Sequence, residues 1–341
     1  MRPRELRVLI LHASSRCDQA CGHCSIWKPK AGGPELGVGA RLAIIQEAHS
    51  LGARAVLFTG GEPLLCDHLE TLSRTAHDLG LSVQIATNGL GLARATAWIG
   101  GVVDEVYVSL EGPEGIHDSV RGLGMFARLA ASLAAVEALP LRPRLVGRSV
   151  LSAANVSQIE ETVGAARSLG LDAISFLPVD VTSQAFGGDP ARRENLRPDG
   201  PAIAAMRGAV IRLDTAGDLG NYVVEDLRKL TSLADGLVSG TARQEAPACN
   251  APEWSSVVEA DGAVRPCFFQ PKVAAESSVS IGEIRRSEAY AQALRALGPE
   301  NPTCAACACP KYQSEGLVSS WVGEALRRAT PKFFARLRGA A

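Results

Sequence analysis

The sequence predicts an α/β fold, a parallel sheet covered by helices. Apolar, β-rich runs alternate with stretches of helical periodicity, the pattern of a parallel sheet covered by helices. The length, 341 residues, suits one large α/β barrel with an appendage, or two domains of ~100–200 residues each. Six strands precede position 180, which fits an incomplete barrel or an open sheet, a doubly wound one included.

The elements follow in order. Arg7–His12 reads as a strand and Gly39–Leu51 as a helix. Ala53–Thr59 is a strand ending in Gly60-Gly61, followed by a helix over Leu69–Leu79. Ser82–Thr87 is a strand ending in Asn88-Gly89, with a short helix over Ala93–Ile99. Glu105–Leu110 is a strand ending at Glu111-Gly112, with a helix over Phe126–Ala138. Arg144–Leu151, Val156–Leu169 and Ala173–Pro178 read strand, helix, strand. Thr182–Pro201 is polar and rich in Gly and Pro, a long loop. Helical patterns return at Pro201–Ala216, Val223–Leu237, Ile284–Leu297 and Gly316–Arg328, and a hairpin is predicted around Asp261-Gly262 within Ser255–Phe269.

Charge and composition exclude several classes. Lys+Arg total 35 against Asp+Glu 36, so there is no basic field to hold nucleic acid. Hydrophobic residues at 46% and charged residues at 21% describe a folded chain. The apolar run at Leu6–Leu11 is too short for a signal peptide, and no run approaches the ~20 residues of a membrane span. The expectation is a cytoplasmic protein with no membrane and no nucleic-acid partner. Thiols stay reduced there, so nine cysteines need a purpose other than disulfides. Eight of them fall near the two ends, at 17, 21, 24, 249, 267, 304, 307 and 309, and only Cys66 stands apart. Metal binding is the first hypothesis.

Cys17, Cys21 and Cys24 lie in the loop after the first strand, where parallel α/β folds place their chemistry. Three thiolates suit an iron–sulfur cluster with one iron left open; structural zinc would want a fourth ligand. The spacing Cys-x3-Cys-x2-Cys resembles the radical S-adenosylmethionine superfamily. The resemblance is reinforced by Gly60-Gly61-Glu62-Pro63, Thr87-Asn88-Gly89, Ser109-Leu110-Glu111-Gly112 and His117-Asp118-x2-Arg121-Gly122, over about residues 7–180. His23 departs from the aromatic or aliphatic residue usual before the third cysteine.

The resemblance implies a partial (β/α)6 TIM-like barrel over 1–222 and a small cysteine-rich auxiliary-cluster region over 223–341. It implies that Cys17, Cys21 and Cys24 hold a 4Fe–4S cluster whose open iron chelates S-adenosylmethionine. Gly60, Gly61, Glu62 and Pro63 would offer backbone oxygens to the methionine ammonium, with Asn88 beside them. Glu111 or Ser109 would reach the ribose, and Arg148 or Ser149 the carboxylate, for which Arg121 is a further candidate. One electron would split the sulfonium and give a 5′-deoxyadenosyl radical that abstracts hydrogen. An external flavodoxin- or ferredoxin-type donor would supply the electron.

Cys249-x12-Gly262-x4-Cys267 with Cys304-x2-Cys307 resembles the family's twitch (SPASM-like) appendage, which would hold a second 4Fe–4S cluster. A zinc site is the plainer reading of the same cysteines. Five cysteines compete for four places. One solution uses Cys249, Cys267, Cys304 and Cys307; the other uses Cys267, Cys304, Cys307 and Cys309 and frees Cys249 as a hydrogen-atom donor. The first favours oxidation of an alcohol to a ketone, the second epimerisation. The favoured expectation is the second, with Cys249 catalytic and an aminoglycoside or sugar as substrate. Such substrates are handled by aminoglycoside- and aminocyclitol-tailoring members of the neomycin C epimerase and butirosin dehydrogenase types. Asp180, Asp189, Glu225, Asp226, Glu253 and Glu259 are the carboxylates available to a cationic sugar. A peptide-modifying maturase is the other alternative.

Overall fold

Each strand–helix unit forms where an apolar run is followed by an amphipathic stretch long enough to cover it. In the computed structural model, residues 5–28, 35–181, 183, 185, 194–239, 249–273, 280–298, 300–301, 304 and 307 are described. The expected helix over Gly316–Arg328, half of the loop over Thr182–Pro201, Asp189 and Cys309 lie outside these residues. The first half runs β1 (Val8–Ser14), α1 (Val38–Ser50), β2 (Ala55–Gly60), α2 (Leu69–Asp78), β3 (Ser82–Thr87), α3 (Leu92–Ile99), β4 (Glu105–Ser109), α4 (Glu114–Arg121) and α5 (Met125–Glu137). It continues through β5 (Arg144–Leu151), α6 (Ile159–Ser168) and β6 (Ala173–Pro178). Then come α7 (Gly200–Thr215), α8 (Leu227–Ser239), α9 (Ala251–Trp254), β7 (Ser255–Val258), β8 (Val264–Arg265), α10 (Ile281–Arg286) and α11 (Glu288–Arg295).

The sheet order is β6-β5-β4-β3-β2-β1-β7-β8. Every neighbouring pair is parallel except β7 and β8. This is the expected α/β parallel sheet, and β3, β5 and β6 occupy the predicted ranges. The Asp261-Gly262 hairpin forms between β7 and β8, with Asp261 Oδ1 accepting from the Ala263 N–H at 2.9 Å and Gly262 at φ 91°. β7 also pairs in parallel with β1, so residues expected in an appendage continue the first half's sheet. At the other edge, Ile174 N–H donates to Tyr222 O at 2.9 Å and Val224 N–H to Ile174 O at 2.8 Å. The expected boundary at 222/223 falls inside this pairing. An edge strand's backbone groups need partners, and Tyr222–Val224 supply them, which delays α8 to Leu227. The single helix expected over Ile284–Leu297 is two, because Ser280 and Ser287 each cap a helix start, accepting from Glu283 N–H and Tyr290 N–H.

Strand alternation divides the core. The outer face packs under the helices, with Leu9, Leu11, Val56, Phe58, Val83, Ile85, Val106 and Val108 among its fully or nearly fully buried residues. The opposite face forms a smaller cluster: Val8, Ile10, Ala55, Leu57, Tyr107, Val146, Ala173 and Val257. Residues from β6 at one end and β7 at the other meet in that cluster, so the sheet curls around it. The curl turns the carboxyl ends of the strands into a mouth.

Asp172, just before β6, fastens the opposite end. It accepts from Arg142 Nη1 and Nη2 at 2.7 and 2.8 Å and from Leu145 N–H at 2.8 Å. Burial would raise its carboxyl, but Arg142 and the N–H override that and hold it below the ordinary carboxylate range. Asp172→Asn should cost about 1–2 kcal/mol in urea unfolding. The wild-type advantage should be complete above the unfolded carboxyl's range and vanish as pH falls through the lower folded value. A variant equally stable at neutral pH would remove the pair from the fold's support.

Candidate active site at the carboxyl ends of the strands

The cysteine loop leaves β1 and is held on two sides. Glu35 Oε1 accepts from Ser14 Oγ at 3.0 Å, Ser15 N–H at 2.6 Å and Ser15 Oγ at 2.8 Å, while Oε2 pairs with Arg41 at 3.2 Å. On the other side, Gly61 N–H donates to Ser14 O at 2.8 Å and Glu62 N–H to Arg16 O at 2.7 Å. A Cβ at Gly60 would strike Ser14 O, and one at Gly61 would strike Arg16 O; Gly60 also sits at φ 127°. The glycines permit a close backbone approach, as expected, but here the approaching backbone is the cysteine loop itself. The carbonyls of Glu62 and Pro63 accept from Leu65 and Cys66 N–H at 3.1 and 2.9 Å.

Glu62 is buried and joins three strand ends. Oε1 accepts from Thr87 Oγ1 at 2.6 Å and Leu64 N–H at 3.0 Å; Oε2 accepts from Asn88 N–H at 2.8 Å. Burial lifts its carboxyl to about 7 against the pull of those donors. Asn88 Nδ2 donates to Asp18 Oδ1 at 2.7 Å, so the β3 turn also grips the cysteine loop.

Glu111 and Arg121 form a second tether. Arg121 Nε and Nη2 donate to Glu111 Oε1 at 3.0 and 2.6 Å, and Nη1 points to Gln19 Oε1 at 3.1 Å and Cys21 Sγ at 3.6 Å. Glu111 Oε2 accepts from Val150 N–H at 3.0 Å. Burial alone would raise the Glu111 carboxyl; the Arg121 guanidinium holds it below its ordinary range. Both Glu111 oxygens are thus engaged within the protein, and Ser109 is the partly accessible member of the pair expected at a ribose. His117 accepts from Glu111 N–H at 3.4 Å through Nδ1 and is neutral, because burial lowers it to about 4. On β5, Arg148 lies over the Tyr107 ring at 4.0 Å, on the inner face. Ser149 faces the helices, where its Oγ accepts from Asn155 Nδ2 at 3.2 Å. The structure therefore separates these two carboxylate candidates, and only Arg148 faces inward.

The second cysteine group forms around the β7–β8 hairpin. Cys267 lies within electrostatic reach of Cys249 and Cys304, and burial pushes its thiol up to about 11. Gln270 Nε2 donates to Cys304 Sγ at 3.2 Å, and Cys307 N–H donates to Cys304 O at 3.1 Å. Phe268 stacks on His12 of β1 at 6.0 Å, which sets this group at the same end of the sheet as the first. Cys267 thus has both Cys249 and Cys304 in its neighbourhood. Cys66 lies apart from both groups, buried, with Arg41 Nη1 3.5 Å from its sulfur.

The first group fits a cluster by its chemistry. Cys17, Cys21 and Cys24 lie in electrostatic reach along the loop; burial pushes Cys17 up to about 11 and raises Cys21. Buried thiols become thiolates when a cation faces them, and iron would supply it. Among the described residues no three His, Cys, Asp or Glu side chains converge as a single ion requires. A 4Fe–4S cluster takes one thiolate per iron and needs no such point.

Gln19, Asp18, Glu35 and Arg41 went unpredicted. Asp18 and Gln19 were visible between the ligand cysteines; Glu35 and Arg41 carry no motif.

Residues 12–176 match the family described as the radical SAM superfamily. The segment is a radical SAM domain. The radical SAM domain is similar in sequence to part of the PqqA peptide cyclase of Ruegeria pomeroyi, 32% identical over 168 residues, covering 48% of this chain and 44% of that one. It is also similar to a GTP 3′,8-cyclase of Mycobacterium marinum, 37% identical over 124 residues, covering 33% and 32%. The chain thus spans about a third to a half of the length of the curated relatives it matches. Native anSMEcpe with bound AdoMet shares the fold at TM-score 0.66 and 16% identity, over 98% of this chain and 100% of that one. Streptococcus suis SuiB bound to precursor peptide SuiA does so at TM-score 0.60 and 15% identity, over 84% and 66%. At these identities the likeness is one of fold. Among the described residues no single helix is long and apolar enough to cross a membrane.

Proposed function

We propose that the chain is a radical SAM enzyme that oxidises its substrate by two electrons, with a second cluster held by Cys249, Cys267, Cys304 and Cys307. Cys267 lying near both Cys249 and Cys304, beside the Cys304-x2-Cys307 spacing, supports this reading. When bound, S-adenosylmethionine and the first cluster supply a hydrogen-abstracting radical, and the second cluster supplies an acceptor for the remaining electron. The chain's own residues hold the thiolates, orient the cofactor and keep water from the mouth. Cys17, Cys21 and Cys24 would hold the first cluster. Gly60 and Gly61 would face the cofactor's ammonium, Ser109 its ribose and Arg148 its carboxylate.

For the substrate we put a polypeptide side chain first. The peptide cyclase relatives and the whole-length fold likeness to a protein also seen with bound peptides support it. Four of the six carboxylates suggested for a cationic sugar are engaged internally. Asp180 accepts from Ser183 N–H at 3.1 Å, Asp226 from Lys229 N–H at 2.7 Å, and Glu225 from Ser175 Oγ at 2.7 Å and Phe176 N–H at 3.0 Å. Glu259 pairs with Arg265 and Lys272. Epimerisation of an aminoglycoside or sugar, with Cys249 as hydrogen donor, is the second reading; the surplus fifth cysteine favours it.

Cys249→Ala separates the two. After anaerobic reconstitution, iron should fall from about eight to about four per chain, with S-adenosylmethionine cleavage retained. Full iron with loss of solvent deuterium from the product would establish the donor role instead.

A further inference from the structure

We propose that Arg121 is a positioning residue that sets the electron affinity of the cluster site by holding a positive charge against Cys21. The inference rests on the reading of Cys17, Cys21 and Cys24 as cluster ligands and goes beyond it. The guanidinium is divided between two tasks. Nε and Nη2 face the Glu111 carboxylate at 3.0 and 2.6 Å, and Nη1 faces Cys21 Sγ at 3.6 Å and Gln19 Oε1 at 3.1 Å. Gln19 Oε1 also lies 3.7 Å from Cys21 Sγ, so the amide steers the guanidinium and the thiol toward one point.

The pair is oriented, with its cation toward the sulfur and its anion behind. The Arg121 and Glu111 side chains are 8% and 1% exposed, so solvent screens them weakly. A plain staple between α4 and β4 would need only the carboxylate. The third arm, reaching the loop across 100 residues of chain, is what a staple does not explain. A cation and an N–H donor at a ligand sulfur stabilise the reduced, more negative state of an iron–sulfur site. Arg121 therefore makes the site easier to reduce, and Glu111 tempers it.

The test is an EPR-monitored redox titration of the anaerobically reconstituted full chain, following the signal that S-adenosylmethionine perturbs. Absence of that signal in the parent would overturn the cluster assignment itself. With the signal present, Arg121→Gln should weaken the reduction equilibrium about tenfold, about 59 mV downward for one electron. Glu111→Gln should move it upward, and Arg121→Lys should stay near the parent. Disruption of packing would move the variants without regard to the sign of the charge removed. A parent-like midpoint in Arg121→Gln, or the same direction of shift in Arg121→Gln and Glu111→Gln, overturns the proposal. If Arg121→Gln does not retain iron, Glu111→Gln decides: an unchanged or lowered midpoint overturns it equally.

Discussion

Replacing Cys17, Cys21 and Cys24 together by alanine is expected to abolish reductive cleavage of S-adenosylmethionine, a loss on the order of 10³-fold or more in 5′-deoxyadenosine. The effect is large because the cofactor carries the hard chemistry and the side chains around it only orient. The fold should survive. Cys21 is the buried member of the three, and neither hydrophobic cluster includes any of them. Circular dichroism, iron content and dithionite-driven product formation on one sample test this together. A triple variant that folds and still releases 5′-deoxyadenosine would remove the amino-terminal site from the mechanism.

Gly61→Ala should be strongly damaging, costing about 2–3 kcal/mol. The added methyl would meet the Arg16 carbonyl, which is backbone and has no rotamer to escape into. It would also part Glu62 N–H from Arg16 O and push the cysteine loop away from β2. Urea unfolding and iron retention should both fall. Gly164→Ala is the control: it lies in α6 with nothing within 4 Å of an added Cβ, and should gain about 0.5–1 kcal/mol. A Gly61→Ala chain as stable and iron-rich as its parent would mean that the loop is not seated on these glycines.

The strand–helix alternation was legible because parallel strands buried on both faces need continuous apolar runs. The motifs that carry the site were legible for a related reason. Cys17 to Cys24, Asn88 and Glu111 follow strands and Gly60-Gly61 closes β2, at the carboxyl ends where parallel α/β folds place their chemistry. Much of the remainder depended on chain brought from far away. The parallel pairing of β7 with β1 has no local signal, since a short apolar strand reads the same wherever it docks. Arg121 was visible in its motif, yet nothing in the spacing said that its third nitrogen reaches back to Cys21. Ser149 and Arg148 are neighbours in sequence and part to opposite faces, because side chains alternate along a strand.

Local order alone thus determined the α/β class, the six principal strands and the two places where thiols gather. Only the folded chain decided that Cys267 neighbours Cys249 as well as Cys304, which donors Glu225 and Glu259 meet, and which side chains of β5 face inward. Those outcomes turn on distances between residues tens to hundreds of positions apart, and sequence spacing constrains such distances only weakly once the sheet curls.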